Sequence, residues 1–502
     1  MTTTQDSRPP AADGAGSPAR AVAAVDLGAT SGRVMLGVLT AGGVAELVEA
    51  HRFPNGPAPR RGHLCWDVDA LWEGIRTGLT AAQGLAAARG LDGIAAIGVD
   101  AWAVDYVLVG PPDATGRGDR LGEAIAFRDE RTEGEPETVA SRVPRSRQYA
   151  VTGITQQVFN TIHQLAAEDR LADLPAGSHA LLIPDWVGHL LTGVRRTEVT
   201  NASTTGMLDA RRRDWSPELL AAAGVGPELF APLVEPGTVI GTVLPDLAAE
   251  LSIGEVPVIA VGSHDTASAV AAVPMTDPGA AWISSGTWSL VGLELAEPVL
   301  TEAARLRGFT NEAGVGGTVR FLENVMGMWL LSECRREWAE AGDPAGRQPL
   351  EELLATAAHE PAGRFLIDAT APDFLPPGDM IGRIRHAAAR EDDTAPGTPA
   401  QLTRCILDSL AAAYREAVED ACEAAGAPFP TRVHVVGGGS RNALLCSLTA
   451  RSLGVEVVAG PAEASALGNV IVQGQALGAL DADLAAVRAG LAAQLELERY
   501  TP

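Results

Sequence analysis

Three short apolar runs, each ending in a turn of small residues, constrain the fold of this chain more than any other feature. Ala21–Val25 leads into Asp26-Leu27-Gly28-Ala29-Thr30-Ser31-Gly32 and a second apolar run, Arg33–Thr40. Two strands joined by a short glycine-bearing turn read as a hairpin. Val256–Ser263 and Val433–Gly439 repeat the glycine-ended pattern far downstream, each followed by a helical stretch or a further strand. Short apolar runs alternating with longer helical stretches mark an α/β protein. A chain of 502 residues exceeds one ordinary core, so two or more large domains are expected. Glycine-ended strands so far apart predict two related halves closing on one cleft. The boundary is expected near Pro274–Gly279, giving a first half over 21–275 and a second over 276–502. Residues 1–20, rich in Pro, Ala, Gly and Ser, read as a disordered tail and lack the apolar stretch of a signal peptide. Pro372–Pro377 and Asp392–Pro399 read as loops within the second half.

Charge and composition exclude several functions. Net charge is −25, from 63 acidic and 38 basic residues, which repels phosphate backbones and anionic membranes. Nucleic acid and membrane are therefore not expected partners, whereas a small polar substrate is. The longest apolar stretch, around Leu181–Leu191, is interrupted by Pro184 and Asp185 and does not reach spanning length. The chain contains no lysine, so every basic residue is arginine. A Walker-type phosphate loop, a protein-kinase strand lysine and Schiff-base chemistry are all excluded. Any ATP must be held by backbone amides, hydroxyls, carboxylates and metal. Cys65, Cys334, Cys405, Cys422 and Cys446 are odd in number and scattered, without a CxxC. They read as buried free thiols of a cytoplasmic protein, with neither a disulfide framework nor a zinc site.

Four segments carry candidate chemistry. In the first turn, glycines admit an anion close to the backbone, hydroxyls and amides donate to phosphate oxygens, and Asp26 offers a carboxylate to Mg²⁺, directly or through water. The same segment alone is also an ordinary hairpin turn. In Gly262-Ser263-His264-Asp265-Thr266-Ala267-Ser268, Asp265 stands past an apolar strand at the mouth of a helix, placed to take a proton from a hydroxyl. Equally, Asp265 or Ser263 caps a helix expected over Ala267–Val273. Ser284-Ser285-Gly286-Thr287-Trp288-Ser289 suits phosphate or metal contact, or a polar turn. Val435-Val436-Gly437-Gly438-Gly439-Ser440-Arg441-Asn442 opens a helix at Ala443 and lets a nucleotide lie on the backbone, though a lone glycine turn is weak evidence.

Taken together and in this order, the segments resemble the FGGY carbohydrate kinases of the actin/hexokinase-like superfamily. Within that family they are similar to its L-rhamnulose kinases, from about Ala21 to Gln475. The stretches that carry the resemblance are Asp26–Arg33, Ile97-Gly98-Val99-Asp100, Phe127–Thr132, Phe159-Asn160-Thr161, Ile183-Pro184-Asp185, Thr200-Asn201-Ala202, Ser263–Ala269, Ser284–Leu290, Asn324–Leu331, Gly437–Gly439 and Gly460–Asn469. The resemblance implies two ribonuclease-H-like α/β domains flanking a catalytic cleft, with sugar, first phosphate loop and catalytic aspartate in the first and ATP in the second. It implies phosphoryl transfer from MgATP to the C1 hydroxyl of L-rhamnulose in rhamnose catabolism, by a monomer or small homo-oligomer.

By position, Asp265 matches the catalytic base, and His264, Asp265 and Thr266 match a sugar-contacting tripeptide. Gly28, Ala29, Thr30, Ser31, Gly32 and Arg33 match the first phosphate loop, and Thr287, Asn324 and Gly438 match ATP contacts. Two positions depart from the pattern. Ala103, in Asp100-Ala101-Trp102-Ala103-Val104-Asp105-Tyr106, replaces a sugar-facing glycine, and Ser332 stands where a glutamine contacts ATP. A kinase for another ketose or deoxy sugar, a catalytically idle sugar sensor and a chaperone-like ATPase are the competing readings. Away from His264 the histidines are expected at the surface or as caps. Trp66, Trp72, Trp102 and Trp186 are expected in the core, and Arg211-Arg212-Arg213 in a solvated turn.

Overall fold

The computed structural model describes residues 18–277, 279–389 and 394–502. In the first half, β1 (Arg20–Leu27), β2 (Ser31–Thr40) and β3 (Gly43–Pro54) form an antiparallel meander. β4 (Ile94–Ala101) pairs parallel with β1, and β6 (Pro257–Ile259) parallel with β4, while β5 (Val239–Thr242) closes that edge antiparallel. The sheet order is β5-β6-β4-β1-β2-β3. The second half repeats the scheme. β7 (Ala281–Ser285), β8 (Trp288–Leu295) and β10 (Val319–Met326) are antiparallel neighbours, with β9 (Thr310–Ala313) outside β10. β11 (Arg432–Val436) and β12 (Glu456–Ala459) continue parallel from β7, and β13 (Glu498–Tyr500) ends the sheet. Each half thus contains three antiparallel strands followed by two parallel ones.

β1 is buried on both faces from Ala21 to Leu27, as expected of a central strand covered by helices above and below. Arg20, assigned to the tail by sequence, already pairs with Leu39 as the first residue of β1; the rest of the expected tail up to residue 17 lies outside the described residues. Pro278 of the expected connector and residues 392 and 393 of the expected Asp392–Pro399 loop also lie outside them. Pro399 itself starts a long helix, Pro399–Ala425, whose cap Thr398 accepts from Gln401 N. No helix among the described residues is long and apolar enough to cross a membrane.

Two helices join the halves. α1 (Asp265–Ala271) follows the last parallel strand of the first half, and α2 (Ala464–Ala476) follows that of the second. They cross between the two sheets. Ala466 and Val470 of α2 pack on Val22, Ala24 and Met35 of the first sheet. Ala464, Leu467 and Ile471 pack with Ala269 and Val270 of α1 and Trp282 of the second sheet. Burying the valine, leucine and isoleucine side chains among them contributes roughly 1.5–3 kcal/mol each. The crossing is close because Gly468 has no side chain: a Cβ there would lie 1.8 Å from the Ser268 carbonyl oxygen. α2 also reaches the first sheet through polar groups. Asn469 Nδ2 donates to Asp100 Oδ2 at 2.6 Å, and Gln473 Nε2 to the Ala23 carbonyl at 3.0 Å.

Trp66, Trp102 and Trp186 are buried, Trp72 is half-buried, and all five cysteines are buried free thiols. Burial pushes Cys405 and Cys446 up to about 12, which keeps them protonated and inert. The Arg211–Arg213 turn is held by Asp209, whose carboxylate accepts from Arg211 N and Arg212 N. The histidine expectation needs correction: His163, His189 and His434 are buried, not superficial or capping. A neutral imidazole is apolar enough to enter a core, and scattered sequence positions carry no mark of depth. His434, opposite Trp282 in the sheet, has no hydrogen-bond partner on either ring nitrogen among the described residues, and burial, aided by Arg432, lowers it to about 4.

Two outcomes follow for stability. In an open helix Gly→Ala adds about 1 kcal/mol, but at Gly468 the methyl meets a backbone carbonyl, and overpacking costs about 1–3 kcal/mol or more. Gly468→Ala therefore lowers the chemical denaturation midpoint; an unchanged or raised midpoint contradicts the crossing. His434 is neutral when folded and protonates when unfolded below pH 6.5, so it destabilises progressively as pH falls from 6.5 to about 4, by roughly 3 kcal/mol in full. The Tm of His434→Leu should rise relative to that of the parent over that interval, and a pH-independent difference would refute the assignment.

Candidate active site

The parallel strands of the first sheet end together and deliver three carboxylates to one place. Asp26 on β1 stands in register with Asp100 on β4, and Ala101 N donates to the Ser263 carbonyl at 2.9 Å, aligning the Ser263-His264-Asp265 segment beside them. Clefts beyond the carboxyl ends of parallel strands are where open α/β sheets bind ligands. Asp100 is fully buried. Loss of water, then the charges of Asp26 and Asp265, hold its carboxyl well above the usual range, against the Asn469 hydrogen bond. The Asp265 side chain keeps 32% of its accessibility and so remains open to a substrate. Burial of its surroundings raises its carboxyl, His264 lowers it and Asp26 raises it further. Helix α1 begins at Asp265, two residues before the expected start. Its cap position is His264, and no side chain caps it.

The turn between β1 and β2 is closed by Gly28 N donating to the Ser31 carbonyl at 2.9 Å. Asn55, just past β3, props it, with Nδ2 on the Gly28 carbonyl at 2.8 Å and N on the Thr30 carbonyl at 3.1 Å. Thr30 is exposed, Ala29 and Ser31 are half-buried, and Gly32 lies beneath Phe53. Arg33, opposite Asp26 in register, donates to Asp26 Oδ2 through Nε at 2.9 Å and Nη2 at 2.6 Å. Its Nη1 pairs with Glu463 of the second half, which also accepts from Arg441 at 2.8 Å. One arginine thus bridges the β1–β2 turn, a strand-end carboxylate and the other half.

On the second half, Thr287, Asn324, Ser332 and Gly438 are all exposed. Met328 N and Trp329 N donate to the Gly286 and Thr287 carbonyls at 3.1 and 3.0 Å, tying the β7–β8 turn to the helix Trp329–Glu340 that bears Ser332. Gly437, at φ 79°, and Gly439 press against Ser285, where a Cβ at Gly439 would come within 2.0 Å of Ser285 Oγ. The glycine turn and the β7–β8 turn therefore form one ledge. Asn324 lies on β10, opposite Leu290.

The wall next to Asp100 is rigid. Between Ala96 and Gly110 only Ala103 is not buried. Asp105 accepts from the indoles of Trp66 at 2.6 Å and Trp102 at 2.9 Å, and from Gln164 at 3.1 Å; burial pushes it up to about 6. Val104 adopts φ 69°, a strained conformation for a β-branched residue, held by Thr161 Oγ1 on its carbonyl at 2.7 Å.

Several supporting residues were given no role by the sequence. Glu198 is buried and accepts from Ser263 N at 3.1 Å, Ser263 Oγ at 2.6 Å, Thr200 N at 2.8 Å, Thr200 Oγ1 at 2.6 Å and Asn201 N at 3.2 Å. The only hint in sequence is an acidic residue two before a threonine, an ordinary cap pattern. His264 and Thr266 are buried, and His264 is reached from the second half by Arg320 and Glu312. Arg320 within an apolar strand, and Asn469 with Gln473 one helical turn on in an apolar helix, were the available signals.

For a metal, the described residues contain no cluster of three or more ligating side chains. Mg²⁺ is commonly held by one or two carboxylates with water and phosphate oxygens. Asp26 fits that role: Oδ2 takes both Arg33 bonds, Oδ1 has no hydrogen-bond partner among the described residues, and Asp100 and Asp265 add negative field.

Comparison with known proteins agrees with this geometry. The family model for the N-terminal domain of the FGGY family of carbohydrate kinases matches residues 21–272, and that for its C-terminal domain residues 281–477. A rhamnulokinase of Bacteroides thetaiotaomicron is 42% identical over 481 residues, covering 95% of each chain. One from Enterococcus faecalis is 40% identical over 482 residues, 96% of this chain and 94% of that one. Among solved structures, a ligand-bound xylulose kinase from Lactobacillus acidophilus superposes with a TM-score of 0.74 at 17% identity, over 96% of this chain and 94% of the other, which speaks to the fold. Two strand-end sheets facing each other, matched models over both halves and relatives spanning nearly the whole length lead to one conclusion: the chain belongs to the FGGY family of carbohydrate kinases and is a sugar kinase.

Proposed function

We propose that this kinase transfers the γ-phosphoryl group of ATP to the C1 hydroxyl of L-rhamnulose, giving L-rhamnulose 1-phosphate and ADP, in the cytoplasm and in the catabolism of rhamnose. The observation that carries the reading is Asp265: an open carboxylate at the strand ends of the first sheet, beside the phosphate turn. The substrate is taken from the relatives named rhamnulokinase.

Phosphoryl transfer has a loose transition state, so the protein mainly positions groups and offsets charge. Asp265 takes the proton from the sugar hydroxyl at a carboxylate oxygen, a step worth roughly 10²–10⁴-fold. His264 and Thr266 flank it towards the sugar, and Ala103 is the open point of the opposite wall. The amides and hydroxyls of Gly28–Gly32, with Arg33, receive phosphate oxygens; Thr287, Asn324, Gly438 and Ser332 line the ledge for the nucleotide. Asp26, directly or through water, would hold Mg²⁺, which when bound would offset phosphate charge there. In the absence of lysine, Arg33 is the cation placed at the phosphate turn. One observation favours a second reading, a kinase for another ketose or deoxy sugar: the methyl of Ala103 narrows the wall where the family carries glycine.

ADP release measured with L-rhamnulose, L-fuculose, L-ribulose and D-xylulose separates the two by kcat/KM. Preference for L-rhamnulose supports the first reading, and preference for another ketose transfers the argument to Ala103. Asp265→Asn should lower kcat at least about 100-fold with the fold retained, and near-parental kcat would remove Asp265 from the role. Glu198→Gln puts an N–H₂ group against Ser263 N–H and displaces the Asp265 segment. Its kcat should fall about 10–100-fold, since small misplacements cost on that order, with KM for ATP within about twofold; parental kcat would show that Glu198 does not position the base.

A further inference from the structure

His264 belongs to the first half, but the group that meets its ring comes from the second. Arg320 on β10 has a fully buried side chain, 0% exposed. Its Nε and Nη2 both donate to the Ala313 carbonyl at 3.1 Å, and Nη2 also lies 3.1 Å from His264 Nδ1 in hydrogen-bonding geometry. Glu312 Oε2 stands 2.9 Å from Arg320 Nη1 and 3.1 Å from His264 Nδ1, but is out of line for a hydrogen bond with either. Burial alone would raise the Glu312 carboxyl; the Arg320 guanidinium beside it brings it below its usual range, so it stays anionic and balances that guanidinium. On the other side of the ring, His264 Nε2 is 3.5 Å from Asp265 Oδ1.

A guanidinium offers only donors and does not deprotonate in proteins. A ring nitrogen hydrogen-bonded to it must therefore present its lone pair. We propose that Arg320 is a positioning residue that fixes the proton of His264 on Nε2, so that the second half sets the tautomer of the histidine beside the catalytic carboxylate. With hydrogen on Nε2 the ring faces Asp265 with a donor, which steadies the carboxylate and leaves its other oxygen for the sugar hydroxyl. With the proton on Nδ1 instead, the Nε2 lone pair would face the carboxylate and repel it. The order Glu312, Arg320, His264, Asp265 thus runs from β9 across to α1. Ala313 N donates to Ser203 Oγ of the first half at 2.9 Å, so the device is assembled only when β9 is docked. The proposal rests on Asp265 acting as the base, but its primary test needs no sugar and no turnover.

The test is long-range ¹H–¹⁵N correlation spectroscopy of the full chain labelled with ¹⁵N-histidine, with the His264 ring assigned by its loss in His264→Asn among the nine histidines. At pH 7.5 the parent protein should show His264 as the neutral Nε2–H tautomer; an Nδ1–H or imidazolium pattern overturns the proposal without recourse to any variant. In Arg320→Met, Nδ1 is left to Glu312 and should acquire a proton, moving the ring to the Nδ1–H or imidazolium pattern. kcat should fall at least about tenfold while KM for ATP stays within about twofold. Arg320→Lys, which keeps a donor, should restore the Nε2–H pattern in part. An unchanged ring pattern in Arg320→Met, or an unchanged kcat, contradicts the assignment. A parent protein with the Nε2–H tautomer that fails to phosphorylate L-rhamnulose would leave this inference standing and refute the substrate instead.

Discussion

Everything in this molecule is hung on the crossing of two helices at Gly468 and Ser268. Neither sheet can bury its inner face alone, and the pair α1 and α2 supplies that face to both at once. The contact works because one position has no side chain, which lets a helix backbone come against the carbonyl of another. The same two helices carry candidate site residues at their ends. α1 opens with Asp265, and α2 presents Asn469 to Asp100 and follows Glu463, the partner of Arg33. A change in the angle between the sheets must therefore move Asp265, the β1–β2 turn and Asp26 together, which is what a kinase needs if water is to be excluded only when both substrates are bound.

The site collects negative charge from the protein and balances it with arginine. Asp26, Asp100 and Asp265 lie within one another's field, and burial first, then that repulsion, raises the carboxyl groups of Asp100 and Asp265. Arg33 answers at the β1–β2 turn and Arg320 behind His264, both tied to carboxylates of the second half. A chain without lysine must place every fixed cation as a planar fork, and each of these two uses the fork to hold two groups at once.

The α/β class, the two-half plan and the family were legible in sequence because they are written in short contiguous strings. A glycine-ended strand or a run such as Ser284–Leu290 keeps its meaning without knowledge of what it touches. Residues whose role depends on distant partners were not legible. Asn469 meets Asp100 across 369 residues, and Glu198 meets Ser263 across 65. Nothing local distinguishes either from a helix-face amide or an ordinary cap. The buried histidines were misplaced for a related reason, since a lone imidazole in sequence shows neither its depth nor its proton. The strain at Val104 is visible only once φ is known, because valine gives no warning of a left-handed backbone.

The central claim, that an open carboxylate at the first sheet's strand ends directs ATP to a primary hydroxyl of L-rhamnulose, is tested most directly by proton-coupled ³¹P spectroscopy of the reaction mixture. The account predicts a new phosphate monoester resonance, split by two equivalent-bond protons as a C1 methylene requires, rising as ATP is converted to ADP. A monoester coupled to a single proton, or ADP formed without any monoester, would contradict it.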